Sequence, residues 1–352
     1  MPIVVNTNSS ATTASFNLSS ANDALRKSLA RLSSGKRIVS PADDAGGMAV
    51  AYKMASKLKR TEAVRANVQN GISYLQVQDG ALTSVAKILD RMSELRTMAQ
   101  DVTKNTQDIE NYSKEFIELQ RQLQQVKNET FNGISLFADS QANSVPSPLT
   151  GELSPNLNKA LIANDQGVQV TRFSRTLYTN PSGQAVDGSV SIGVTNLQHV
   201  LSLGALDTRY LTTATNTAVT GAAGTDGLLN LGNVNMLNND DFAPGTTFDE
   251  IYTSDGFLKS IMFVSVGQFT AAIERLADVR AENGAEQSRL NMTNELLIQN
   301  QTNLEAAHGR IMDADVALES TRFARHNVLV QASAAMVAQA NQLTSIALSV
   351  LG

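Results

Sequence analysis

FTAAIERLADVRAENGAEQSRLNMTNELLIQNQTNLEAAHGRI, running from Phe269 to Ile311, places Phe269, Leu276, Leu290, Leu297, Leu304 and Ile311 on one heptad position, interrupted only by Asn283. One apolar residue every two helical turns marks a long helix that packs along its length against another helix. Helical throughout, the stretch would span on the order of 60 Å.

Working outward from this stretch, the charge map is unusual. No Asp, Glu, Lys or Arg follows Arg325, and none precedes Asp23. His326 to Gly352 is long enough to suggest a membrane span, but Gln331, Gln339, Asn341, Gln342 and several serines are too polar for lipid. It reads as a helix buried against other protein, without membrane insertion. Its Ala332, Ala334, Ala335, Ala338 and Ala340 are small enough to let helices approach closely. The N-terminal end carries a matching stripe at Leu18, Ala21, Leu25, Leu29 and Leu32, spaced by threes and fours, so the two ends can pack on each other. Leu18, Leu25, Leu29 and Leu32, with Ala335, Ala338, Leu343 and Ile346, are the candidate subunit-packing residues.

At Ser40 the sequence SPADD predicts one helix ending and another starting, with Ser40 as cap, Pro41 at the first helical position and Asp43 at the third. Asp43 and Asp44 are neighbours on a helix and point in different directions, which argues for capping and against a paired catalytic site. Val64, Val68, Ile72, Leu75, Leu82, Val85, Leu89 and Met92 predict a second long face, and Tyr112, Phe116, Leu119, Leu123 and Val126 a third. Residues 139–262 change character. Short alternating runs such as Val168, Val170 and Val190, Ile192, Val194, separated by Gly, Pro, Asn and Asp, predict a β-rich, solvent-facing insert. The expected fold is therefore mainly α: a long antiparallel, coiled-coil-like helical rod built from both termini, with a central outer domain of β character. That outer segment, near 145–255, is expected to be dispensable for assembly.

Composition excludes several functions. A net charge of −5 over 352 residues offers no basic face for nucleic acid, and the short run Lys57 to Arg60 reads as a solvated helix face. Zero cysteines and three scattered histidines, His199, His308 and His326, leave little for a metal site, a cofactor or a catalytic base. Val200 follows His199, so no HExxH motif is present. No enzyme, metal or cofactor is expected. The start, MPIVVNTNSS, has no positive n-region and predicts no cleaved secretory signal.

SSGKRIVSPADDAGGMAVA at Ser33 to Ala51 and FNGISLF at Phe131 to Phe137 resemble the bacterial flagellin signature. The run from Leu304 to Ile311, ASAAMVAQANQ at Ala332 to Gln342 and the closing LSVLG resemble the flagellin C-terminus. The resemblance implies an inner terminal domain from residues 1–42 and 310–352, a helical domain from 43–138 and 263–309, and a variable outer domain from 139–262. It also implies an extracellular filament subunit exported unfolded by the flagellar type III apparatus, with an export chaperone and the cap and hook-junction proteins as partners. Arg91, Glu94 and Leu95 in LDRMSEL resemble the helix face by which the family meets a Toll-like receptor of the host. The threonine-rich stretch around Thr212, Thr213 and Thr215 is the candidate for O-linked sugar. The alternatives are a hook-filament junction protein and, from a different class, a secreted rod carrying an enzymatic insert or an intracellular helical scaffold.

Overall fold

The computed structural model describes the backbone of residues 8–138, 157–163, 169–203, 229–231, 253 and 257–351. Within these lie helices α1 (Ser9–Ser34), α2 (Ala45–Ala99), α3 (Thr106–Lys127), α4 (Leu197–Val200), α5 (Val266–Met312) and α6 (Val316–Leu351). The strands are β1 (Thr130–Phe131), β2 (Ile134–Ser135), β3 (Phe137–Ala138), β4 (Leu157–Ala163), β5 (Gln169–Tyr178), β6 (Ser189–Asn196), β7 (Ser202–Leu203) and β8 (Leu229–Asn230). The fold is mainly α with small sheets. Its residues fall into two compact units, one combining the chain up to Glu62 with the chain from Ile298, the other Ala63–Leu297. Helices α2 and α5 contribute to both.

In the Ala63–Leu297 unit the core is the helical faces read from the sequence. Val68, Ile72, Leu75, Leu82, Val85, Leu89 and Met92 of α2, Phe116, Leu123 and Val126 of α3, and Phe269, Leu276, Leu290 and Leu297 of α5 are buried together. Phe116 and Phe269 meet edge to face with ring centroids 6.4 Å apart. Asn283 takes its heptad place inside, where its amide donates to Gln78 Oε1 at 3.2 Å and Gln287 donates back to it at 2.8 Å. The polar interruption in α5 thus meets a polar residue of α2 in the matching gap between Leu75 and Leu82. A buried amide without such partners would cost roughly 1–3 kcal/mol.

The residues FNGISLF form a hairpin. Asn132 (φ 51°) and Gly133 (φ 75°) both take positive φ between Phe131 and Ile134, the two-residue turn that an Asn-Gly pair favours because it costs glycine nothing. Tyr74 fixes this hairpin on α2 by donating its hydroxyl to the Ser135 and Leu136 carbonyls at 3.2 and 3.3 Å. Burial pushes the Tyr74 hydroxyl pKa above its ordinary value.

The alternation Val190, Ile192, Val194 is buried on one face of β6, which pairs antiparallel with β5 and parallel with β3 in the order β3-β6-β5-β4. These strands do not stand apart from the helices. Val190, Ile192, Leu197, Val200, Leu201 and Leu203 share the core of α2, α3 and α5. Gly71 of α2 makes the approach close: a Cβ there would lie 3.1 Å from Leu177 Cδ2 and 3.2 Å from Ile192 Cδ1. Glu286 of α5 accepts from the Gly193 amide at 2.9 Å. Within 139–262, these strands therefore pack on the helices, with their apolar faces covering α2, α3 and α5.

The start of α2 is also corrected. Pro41 to Asp43 form a turn, and the helix begins at Ala45. Asp44, not Ser40, is the cap, its Oδ1 accepting from Gly47 N at 2.8 Å. Asp43 closes the turn instead, accepting from the Val39 and Ser40 amides.

Candidate assembly interface

In the other unit α1 and α6 lie antiparallel. Near one end of the pair the Asn8 side chain donates to the Ala340 carbonyl at 2.8 Å, and at the other Lys36 bridges Asp313. The more covered positions include an unbroken alternation of threes and fours in both helices. In α1 these are Ala11, Ala14, Leu18, Ala21, Leu25, Ser28 and Leu32; in α6 they are Glu319, Phe323, His326, Val330, Ser333, Val337 and Ala340. This alternation is a coiled-coil seam, and its many alanines and serines let the helices approach closely.

Charge gathers where the helices break. Gly35 ends α1 in the left-handed conformation at φ 66°, which a residue with a Cβ adopts only at a cost. The chain then pairs with the break between α5 and α6: Arg37 N donates to Met312 O at 2.6 Å and Ala314 N to Gly35 O at 2.9 Å. Lys27 binds Asp43 at 2.6 Å. This hydrogen bond, supported by the Val39 and Ser40 amides, holds the Asp43 carboxyl below the usual carboxylate range. Asp315 caps α6, accepting from Leu318 N at 3.0 Å. The stretch SSGKRIVSPADD is thus a helix stop, a clamp and a restart.

The candidate packing residues divide between two faces. Leu18, Leu25 and Leu32 lie in the seam. Leu29 leaves it: Ser28 takes the inward place, and Leu29 is 54% exposed. The heptad steps from Leu25 to Ser28 to Leu32, and Leu29 sits about 100° further round the helix. Ala335 and Ala338 are likewise exposed. With Phe16 at 74% and Met336 at 63% exposure, and with Val328 and Leu329, they leave apolar surface on the outside of the pair. The side chains of Leu343 and Ile346, and all of Thr212, Thr213 and Thr215, lie outside the described residues.

Residues 5–142 match the model of the bacterial flagellin N-terminal helical region and residues 266–351 that of the bacterial flagellin C-terminal helical region. Flagellin of Bacillus subtilis (strain 168) is 30% identical over 339 residues, covering 92% of each chain. The chain belongs to the bacterial flagellin family. Flagellin A of Vibrio anguillarum is 28% identical over the whole of both chains. The flagellar filament 33 kDa core protein of Treponema phagedenis is 27% identical over 99% of this chain and 100% of that one. Both sides of the seam fall within the two flagellin matches, α1 in the first and α6 in the second. No helix among the described residues is long and apolar enough to cross a membrane.

The flagellin receptor face read from LDRMSEL is only partly on the surface. Arg91 and Glu94 are exposed, and Arg91 binds both Glu115 at 2.7 Å and Glu94 at 3.1 Å. The Glu115 hydrogen bond, ahead of the one to Glu94, raises the Arg91 pKa further. Leu95 is fully buried, so it offers no surface to a partner meeting the folded unit. Its burial continues the α2 stripe past Met92 by three residues, a signal that the periodicity already carried.

Proposed function

We propose that this chain is the structural, non-enzymatic subunit of the helical bacterial flagellar filament, serving swimming motility outside the cell. The observation that carries the reading is the seam of α1 and α6. It joins two helices that are uncharged over most of their length and leaves Phe16, Leu29, Val328, Leu329 and Met336 uncovered. Fully burying such side chains is worth roughly 1.5–3 kcal/mol each. Neighbouring copies supply that cover, and contacts that do not close into a ring extend as a helix.

Weakly covered termini also suit export. Ordering a residue costs roughly 1–2 kcal/mol of backbone entropy, and helices that recover it only on docking stay unfolded in transit. The flagellar type III apparatus, an export chaperone and the cap and hook-junction proteins are the partners of this scheme. Residues 1–42 and 310–352 form its inner domain, 43–138 and 263–309 its helical domain, and 139–262 its outer domain. A host Toll-like receptor is a further partner, meeting the Arg91 and Glu94 face. Full receptor affinity in an Arg91→Ala monomer would reject that face.

The test of the main reading is seeded growth. Purified chain added to sheared filament ends should pellet and appear as filaments in negative stain; protein that stays in the supernatant at every concentration tried would rule the reading out.

A further inference from the structure

We infer that the break-and-charge cluster at the closed end of the α1–α6 pair is a register latch, with Arg31 and Glu319 as its specificity-determining pair. The inference rests on the filament reading above.

The seam poses a problem of register. From Ala11 to Ser28 in α1 and from His326 to Ala340 in α6 its facing residues carry no carboxylate, lysine or arginine. Outside Phe323 and His326, the alanines, serines, valines and leucines of the seam pack nearly as well after a slip of one heptad, whereas a charged residue at one seam position fixes register and orientation. The seam has one acidic position, Glu319, which is 5% exposed. Arg31 approaches it from α1 at 4.0 Å and Arg322 from its own helix at 3.4 Å. Glu319 Oε1 and Arg31 Nε are both buried without a hydrogen-bond partner, so the pair is poorly satisfied. A buried ion pair of that quality is weak evidence for stability, and fixing register is the best-attested use of such groups.

The surroundings agree. Arg37 N to Met312 O, Ala314 N to Gly35 O and Arg37 Nε to Ile311 O all join the same end. At the opposite end Asn8 donates to the Ala340 carbonyl. The latch is also the end from which both helices continue into the rest of the chain, so closing it orders the shortest free segments. Pairing then proceeds from Arg31 and Glu319 toward the two termini, and each subunit presents its outer face in one register.

The chain has no cysteine, which allows a direct readout. The contacts Asn8 with Ala340 and Lys36 with Asp313 set Ala11 near Val337. Ala11→Cys with Val337→Cys therefore reports the native register, and Ala11→Cys with Val330→Cys a slip of one heptad. Each pair is placed in the full-length parent, in Arg31→Leu/Glu319→Leu, and in the swap Arg31→Glu/Glu319→Arg, which keeps one carboxylate facing a guanidinium across the two helices. Filaments are grown from seeds, oxidised, and scored for intrachain cross-links. The parent and the swap should give the native cross-link alone, and the leucine variant both, with native yield reduced severalfold. A leucine variant that does not polymerise while the swap does also supports the latch. A leucine variant confined to the native cross-link, or a swap that fails as the leucine variant fails, overturns it. Failure of the parent itself to grow would instead count against the filament reading.

Discussion

Ala335 is exposed on α6 and lies beyond Arg325, the last lysine or arginine of the chain. Ala335→Glu should therefore leave the intrachain seam intact, since Val337 and Ser333 are the inward residues there, and act only where a neighbouring copy covers the outer face. A carboxylate buried without a positive partner costs several kcal/mol. At about 3 kcal/mol per added subunit, and a factor of ten for each 1.4 kcal/mol, the concentration needed for growth should rise roughly hundredfold. The assay is seeded polymerisation read by sedimentation across a dilution series, with Ala335→Gln as the uncharged control and circular dichroism confirming parental helicity in the soluble chain. Growth of the glutamate variant at the parental concentration would refute the assignment of this face to intersubunit packing.

Phe269→Ala should destabilise the Ala63–Leu297 unit by about 3–5 kcal/mol, because the ring is fully buried and loses both packing and its edge contact with Phe116; urea unfolding shifted by less than about 1 kcal/mol would contradict that packing. Asp43 has a folded pKa below its ordinary 3.8, so its contact with Lys27 adds stability above that pH and loses it as pH falls through the lower folded value. Asp43→Asn filaments should dissociate more readily at neutral pH and show a shallower further loss on acidification, measured by turbidity; a profile parallel to the parent's would argue against the contact. Excising residues 145–255 should not leave the helical arms intact, because it strips Val190, Ile192, Leu197 and Leu203 from their core. Thermal melting by circular dichroism should show a large drop, and a parental melting curve would restore the outer segment as dispensable.

How far the sequence discloses this molecule varies by element. The stripe from Phe269 to Leu297 is legible because each heptad position meets the same buried environment along a straight helix, and even its exception is intelligible once Gln78 is seen opposite Asn283. The alternation in Val190 to Val194 shows a strand with one covered face, but no local pattern says that the cover is α2. That depends on Gly71, whose missing side chain makes room for Leu177 and Ile192. Leu29 and Ser28 show a different limit: hydrophobicity favours the leucine for the seam, while the three-four phase favours the serine, and the phase prevails because the helix is stiff. The capping signal at SPADD is shifted by four residues, since Asp43 is recruited by Lys27 from α1, a contact made across the fold. The Asn132-Gly133 turn and the Asp315 cap were open to reading from local chemistry alone, and the break between α5 and α6 follows from the latter.

The central claim is that the outer face of the α1–α6 pair is covered by other copies of the chain. An electron-microscopy reconstruction of seeded filaments tests it most directly. It should place Phe16, Leu29, Ala335 and Met336 against neighbouring subunits around the filament axis. A reconstruction with those side chains facing solvent, and with subunits joined through the strands of residues 169–203, would contradict it.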